Sequence, residues 1–177
     1  MPNWCENRLR ITGPPEDRDR FATNAKGTAP QYRQEPGATT APVEEMLCFH
    51  KLLPVPDELL RRSHGGAAED EKHLPPVDGC GGGYDWEIQH WGCKWGVNNR
   101  HCEMTTAPDD DTELGYWFLT AWSPPIGFLE HVSMRYPRLR FDLSYKEIGC
   151  GFKGRFIVQD GQVEVDASQE LTEEDMP

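Results

Sequence analysis

The chain contains no run of about 18 apolar residues, the length a helix needs to cross a bilayer, so no membrane-spanning helix is expected. It also lacks a Walker, dinucleotide-binding or protein-kinase motif. The glycines at 79, 81, 82 and 83 are not followed by the Lys-Ser/Thr pair with which a phosphate loop grips phosphate and metal. No Cys-x-x-Cys pair occurs among the six cysteines at 5, 48, 80, 93, 102 and 150, which sets aside the commonest thiolate zinc site. The start, Met1-Pro2-Asn3-Trp4-Cys5, has neither the basic flank nor the apolar stretch of a signal peptide. A cytoplasmic protein with reduced cysteines is therefore expected. Basic residues are scarce, 18 Lys and Arg against 30 Asp and Glu, giving a net charge of −12 and a pI near 4.9. That balance argues against binding bulk nucleic acid through many phosphate contacts.

What is present suits one domain with a long insertion: 177 residues, 37% hydrophobic, with six tryptophans. The charge is unevenly placed. From Asp160 onward there are seven acids and no base, which leaves 23 acids and 18 bases, a net −5, in the body. Residues 101–134 hold six more acids and no base, whereas Arg135 to Arg155 is basic.

Cys5, Asn7, Leu9 and Ile11 alternate with polar neighbours, so Trp4 to Thr12 reads as a strand ended by Gly13-Pro14. Pro14-Pro15-Glu16-Asp17 opens a helix that runs to about Lys26 and stops at Gly27. Residues 28–45 lack periodicity and read as a loop, followed by a short apolar segment, Met46 to Phe49, and a brief helix from Pro54-Val55-Pro56-Asp57 to Arg62. Residues 28–83 as a whole form a loop-rich insertion, in which the Gly- and acid-rich 63–83 stretch is expected to be mobile. Tyr84, Ile88, Trp91 and Trp95 then fall at helical spacing, with Gly92 weakening the helix and Gly96 a candidate end.

His101 to Thr106 and Leu114 to Trp122 read as a hairpin around Pro108-Asp109-Asp110-Asp111. Ser123-Pro124-Pro125 caps a further helix with Ile126, Leu129, Val132, Ser133 and Tyr136 on one face. Leu139 to Lys146 alternates as a strand, and residues 152–158 and 163–165 form a hairpin turning at Asp160-Gly161. The acidic tail, 167–177, is expected to fray outside a single 1–166 domain. Strand, helix, insertion, two strands, helix, strand and final hairpin is the order of a split βαβ, so an α+β ferredoxin-like antiparallel sheet with helices on one face is expected.

Five words in order, Met1 to Leu9, Phe49-His50-Lys51-Leu52-Leu53-Pro54-Val55-Pro56, Trp91-Gly92-Cys93-Lys94-Trp95, Thr120 to Pro125, and Tyr145 to Gly149 followed by Phe152 and Gly154, resemble the YubB-type ferredoxin-like family of phages and conjugative plasmids. Cys93 stands where the family's word has Thr, and the 63–83 stretch is longer than the family needs. The resemblance implies a ferredoxin-like fold and an accessory role in a mobile genetic element, with counter-defence, host take-over or replication support as destinations. It brings no established reaction, cofactor or catalytic residue, and fold alone does not supply function.

The candidate binding site is Trp91, Lys94, Trp95, Trp122, Ser123, Tyr145 and Glu147, aromatic surfaces beside charged groups that can stack a ring and bond its edge. Against it stands the reading that tryptophans at helical spacing fill the core while Lys94 and Glu147 pair at the rim. Gly92, where a packed helix would hold alanine, suggests a close approach to the backbone. Arg8, Arg10 and Arg140 are anion-contacting candidates on the open sheet face, with Tyr116, Trp117 or Phe118 to stack bases; the alternative is a solvated face paired with Glu6 and Asp142. No metal is expected. His90 and Cys93, with Cys80, His101 and Cys102 in reach, are the weaker zinc alternative. Cys48 and His50, two apart on an expected strand, have no evident orienting carboxylate, and an amine at Pro2 has no identifiable partner. No cofactor is implied. The expected activity is binding rather than catalysis. The partner is a host or phage protein, with a nucleotide-like small ligand as the alternative and an enzyme using Pro2 or Glu147 as the second.

Overall fold

A computed structural model describes residues 3–32, 43–66, 68–105 and 112–175. In chain order the elements are β1 (Trp4–Thr12), α1 (Pro15–Ala25), β2 (Gly27–Thr28), β3 (Glu44–Glu45), α2 (Phe49–Leu52), α3 (Asp57–Leu60), α4 (Gly83–Trp91), β4 (Lys94–Met104), β5 (Glu113–Ala121), α5 (Ile126–Arg135), β6 (Arg140–Glu147), β7 (Phe152–Gln159) and β8 (Gln162–Glu170). Six strands form one antiparallel sheet in the order β4-β5-β1-β6-β7-β8, and β2 pairs with β3. The first four of the six make the ferredoxin-like core, and the terminal hairpin widens it beyond β6.

The alternation in β1 decides which face meets the helices. Cys5, Asn7, Leu9 and Ile11 are buried, and they pack with Phe21 and Ala25 of α1, Phe128, Leu129 and Val132 of α5, and Phe141 and Leu143 of β6. Asn7 is satisfied inside: its amide donates to the Cys5 carbonyl at 2.9 Å and to Thr120 Oγ1 at 2.8 Å. Glu6, Arg8 and Arg10 point to the opposite, open face.

Several expectations shift. α4 ends at Trp91, because Gly92 takes the left-handed cap conformation (φ 83°) and its N–H bonds the Ile88 carbonyl. Its buried face is Gly83, Trp86, Glu87 and Trp91, so the Tyr84-Ile88-Trp91-Trp95 stripe is not the core face, and Trp95 lies on β4. What approaches Gly92 is protein: a Cβ there would sit 3.2 Å from the Pro124 carbonyl, and one at Gly127 would sit 2.8 Å from that of His90. Two glycines thus let α4 and α5 cross closely.

Cys48 and His50 are not on a strand; Cys48 immediately precedes α2, and His50 lies within it. Helix α5 begins after Pro125, and no side chain caps it; the Ser123 hydroxyl donates instead to the Gly92 carbonyl at 2.6 Å. The chain from Ala167 to Glu170 is not frayed but completes β8 against β7, because Gly154 and its neighbours offer a paired edge; Asp175 then pairs with Lys153 at 2.5 Å. Asp160 and Gly161 both have positive φ, as the tight primed turn requires. Within the insertion the buried Arg62 donates to the carbonyls of Gly81 (3.0 Å) and Pro75 (2.8 Å), and Glu71 accepts from the Ser63 backbone and hydroxyl. Pro2 and the Pro108-Asp109-Asp110-Asp111 turn lie outside the described residues.

Candidate functional site

One end of the sheet is built from the start of β4, the end of β5 and the start of β1. Lys94 pairs with Ala121 and Ala121 pairs with Trp4, but the next partner of β4 is Val97, opposite Thr120. Trp95 and Gly96 are therefore extra residues bulging from β4, both with left-handed backbone (φ 69° and 65°). Directly across, Trp122 has φ 71° while the Ser123 N–H reaches back to the Ala121 carbonyl at 2.9 Å, which makes a γ-turn of the strained hand. A bulky residue with positive φ costs about 1–3 kcal/mol and persists only where its surroundings enforce it.

The enforcing contacts are present for both. The Trp122 N–H donates to the Asn3 carbonyl at 3.0 Å, and Thr120 Oγ1 donates to the Ser123 carbonyl at 2.7 Å. The Trp95 N–H donates to Glu87 Oε2 at 2.8 Å. Both residues remain about half in water, Trp95 49% and Trp122 41% exposed. Between them sits Lys94, its ammonium 4.8 Å from the centroid of Trp95, 4.8 Å from Tyr84 and 5.4 Å from Trp122. Three ring faces around one cation are a cation–π cluster. A recess of about 250 Å³ opens beside it, lined by Tyr84, Ile88, Cys93, Lys94, Ala121, Trp122 and Ser123. By register Trp4 and Ile148, both exposed, lie at the same end of the sheet.

Beneath this surface Glu87 is buried, with both carboxylate oxygens hydrogen-bonded. It accepts the Tyr32 hydroxyl proton at 2.7 Å on one oxygen and meets His64 Nε2 at 2.9 Å and the Trp95 N–H on the other. Burial and the Glu87 charge push the Tyr32 hydroxyl far above its ordinary range, so it stays protonated as a donor. His50, 4.7 Å edge-on from the Trp91 ring, has a buried Nδ1 without a partner among the described residues; burial pulls its pKa down to about 4, with Glu87 acting in the opposite direction. Sequence reasoning did not single out Glu87, His64 or Tyr32. The signal for Glu87 was there: it stands four residues before Trp91 on a helix, so the face that buries Trp91 takes the carboxylate with it.

The structure brings Lys94, Trp95, Trp122 and Ser123 together and separates them from the other three candidates. Trp91 is fully buried, its indole N–H donating to the Leu53 carbonyl at 3.0 Å. Tyr145 lies under the terminal hairpin, against Phe152 and over Gly154, where a Cβ would come 2.3 Å from its ring. Glu147 is buried and accepts the N–H groups of Gly149 (2.8 Å) and Cys150, bracing the β6–β7 turn rather than pairing with Lys94. On the open face the arginines meet acids: Arg8 with Glu6 at 3.2 Å, Arg10 with Glu113 at 2.9 Å, Arg140 with Glu164 at 2.9 Å, and Arg155 with Asp142 through two bonds. Tyr116 and Phe118 are buried, and Trp117 stands opposite Arg8.

His90 stacks on Trp86 and Cys93 is buried; among the described residues no three His, Cys, Asp or Glu side chains converge on a metal position. Burial pushes the Cys48 thiol up to about 12 and Cys93 well above its ordinary value, which keeps both as thiols and unsuited to nucleophilic attack. Among the described residues no helix is long and apolar enough to cross a membrane.

Comparison with known proteins shows a likeness in sequence and in fold. Residues 101–176 match the model of the ferredoxin-like domain in Api92-like proteins. A crystal structure of the protein Api92 from Yersinia pseudotuberculosis superposes with a TM-score of 0.59 at 9% identity, covering 97% of this chain and 99% of that one. No curated protein matches the sequence. The chain is thus similar to Api92-like proteins, in sequence over its second half and in fold over nearly its whole length, and its own fold is the ferredoxin-like one.

Proposed function

We propose that the protein is a YubB-type accessory protein of a phage or conjugative plasmid that acts by binding. Its tryptophan-bearing sheet end docks a host protein in the bacterial cytoplasm, which it inhibits or re-directs, with counter-defence as the setting. The observation that carries this reading is the pair Trp95 and Trp122, half-exposed and both held in left-handed backbone. Strain of about 1–3 kcal/mol at each position is offset only in part within the isolated molecule, because about half of each residue it presents stays in water. Tryptophan is the side chain most often found carrying interface energy, and a pre-shaped backbone lowers the ordering cost of binding. Lys94, held between the rings, adds a charge that sets orientation.

The test is a pull-down from bacterial lysate with the wild type and a Trp95→Gly/Trp122→Gly variant whose unfolding midpoint has been checked. Proteins retained by the wild type and lost by the variant are expected; the same retained set in both overturns the reading. A second reading has its own observation, the recess of about 250 Å³ whose wall combines ring faces with the Lys94 ammonium. Such a wall fits a flat ring carrying an anionic group. Thermal shift against nucleotides and cyclic oligonucleotides is expected to raise the midpoint by several degrees at saturation in the wild type and not in Trp95→Gly/Trp122→Gly, and a flat response, or an equal shift in that variant, removes this reading.

A further inference from the structure

A second recess lies at the C-terminal end of α5, about 14 Å along that helix from its start at Ile126. It encloses about 480 Å³, within the range of small-molecule sites, and is lined by Arg20, Lys26, Lys51, Arg135 and the polar groups of Thr23, Asn24 and Tyr136. Among the described residues no carboxylate lines it, in a chain that carries 30 acids against 18 bases.

The cations are held in place. Arg135 donates to the Leu52 carbonyl, and Arg20 bonds Asp17 at 2.8 Å while lying over the Tyr136 ring at 5.5 Å. The stem of Lys51 is laid across Gly27, where a Cβ would come 2.6 Å from its Cγ; glycine at 27 is what lets this lysine lie there. Among the described residues neither Lys26 nor Lys51 has an acidic partner within ion-pair distance. The carboxyl ends of α1, α2 and α5 meet here and account for part of the charge. The ends of α1 and α5 amount to roughly −1 elementary charge, the single turn of α2 adds less than half a charge, and Asp17 supplies one more. Four cations exceed that by between one and two charges. On the open face, by contrast, Arg8, Arg10, Arg140 and Arg155 each meet an acid.

We propose that the recess between Arg20, Lys26, Lys51 and Arg135 binds the phosphate chain of a small polyphosphate ligand, of the class of a nucleoside di- or triphosphate. Guanidinium forks, and ammonium groups with no acidic partner among the described residues, are the donors that phosphate oxygens take, and the hydroxyl of Thr23 adds a neutral donor. The volume exceeds what a single phosphate fills. A concave site in an otherwise acidic molecule suits a small anion rather than a nucleic-acid backbone, whose many phosphates would meet the surrounding acids. The site does not depend on the tryptophan end, so the two stand or fall separately.

Isothermal titration of the full chain with inorganic tripolyphosphate at low ionic strength is expected to show saturable one-site binding that weakens as salt rises. Lys26→Ala/Lys51→Ala is expected to weaken it at least tenfold, and Gly27→Ala, which displaces the Lys51 stem and keeps every charge, several-fold. Lys146→Ala/Lys153→Ala on the open face is expected to leave it unchanged, as is Trp95→Gly/Trp122→Gly. A nucleoside triphosphate should compete with tripolyphosphate for the same site. The proposal is overturned by absence of saturable binding at millimolar tripolyphosphate, by equal affinity in Lys26→Ala/Lys51→Ala, or by tighter binding of a single-stranded oligonucleotide that displaces tripolyphosphate.

Discussion

Trp86 and Trp91 on one side and Trp95 and Trp122 on the other show how one residue type serves opposite ends. The first pair sits in regular helix, edge to face at 5.9 Å, with Phe49 and His50 against Trp91. The second pair sits in left-handed backbone with half of each ring in water. Only four positions separate Trp91 from Trp95, and the whole change from core to surface happens between them. Gly92 ends the helix, Cys93 is buried beneath, and the bulge at Trp95 and Gly96 turns the ring outward. Helix α4 is stabilised by what it buries, whereas the β4 bulge is strained and kept in shape by Glu87, which belongs to the helix.

The largest effect that would break this comparison concerns the buried pair. Trp91→Ala is expected to lower the free energy of unfolding by about 3–5 kcal/mol in chemical denaturation, because it opens a cavity and leaves the Leu53 carbonyl without its donor. A loss under about 1 kcal/mol would place Trp91 with the surface pair. Next in size is pH. The His50 ring beside Trp91 titrates at about 4 in the folded chain against an ordinary 6.5, so between those values the unfolded state binds more protons. Stability therefore falls as pH drops from 6.5 to 4, by up to roughly 3 kcal/mol from this group. Denaturation midpoints across that window should show the slope in the wild type and a smaller one in His50→Gln; identical slopes would remove His50 as its source. Glu87 and His64 are the titratable neighbours that modulate it, the first raising and the second lowering the pKa.

Much of the fold was legible because it rests on short-range rules. The alternation in Trp4 to Thr12, the proline-led start of α1 and the Asp160-Gly161 turn each state their own geometry. The tryptophan words were legible as words but not as a site. Helical spacing places Trp91 and Trp95 on one face, and only the left-handed cap at Gly92 sends them to different environments. The site's support was hidden for another reason: Tyr32, His64 and Glu87 are far apart in the chain, and their meeting is a tertiary fact. Glu147 misled because its charge suggested a rim partner for Lys94, while its nearest donors are the N–H groups two and three residues on.

A smaller effect sharpens the link between the two regions. Glu87→Gln keeps the volume but gives one side of the group two donors, facing a set of neighbours that are themselves donors. A loss of about 1–3 kcal/mol is expected. More telling is the fluorescence of Trp95, which should change in Glu87→Gln and not in a Trp95→Gly background. An unchanged emission spectrum in Glu87→Gln would mean that the bulge holds its shape without the helix.

The smallest effect is the most diagnostic. In Trp95→Gly the strain of about 1–3 kcal/mol at φ 69° disappears. Against this, glycine gives the unfolded chain about 0.5–1 kcal/mol of extra entropy to lose, and the half of the ring that does pack is removed, along with the ring's contact with Lys94. These terms nearly cancel, so the unfolding free energy should stay within about 1 kcal/mol of the wild type, while Trp91→Ala, four residues away, loses several times that. Trp95→Ala should be the less stable of the two substitutions at this position, since alanine keeps the strain and gives up the ring. If Trp95→Gly destabilised as much as Trp91→Ala, the exposed ring would be part of the architecture, and the strained backbone beneath it would have no partner to explain it.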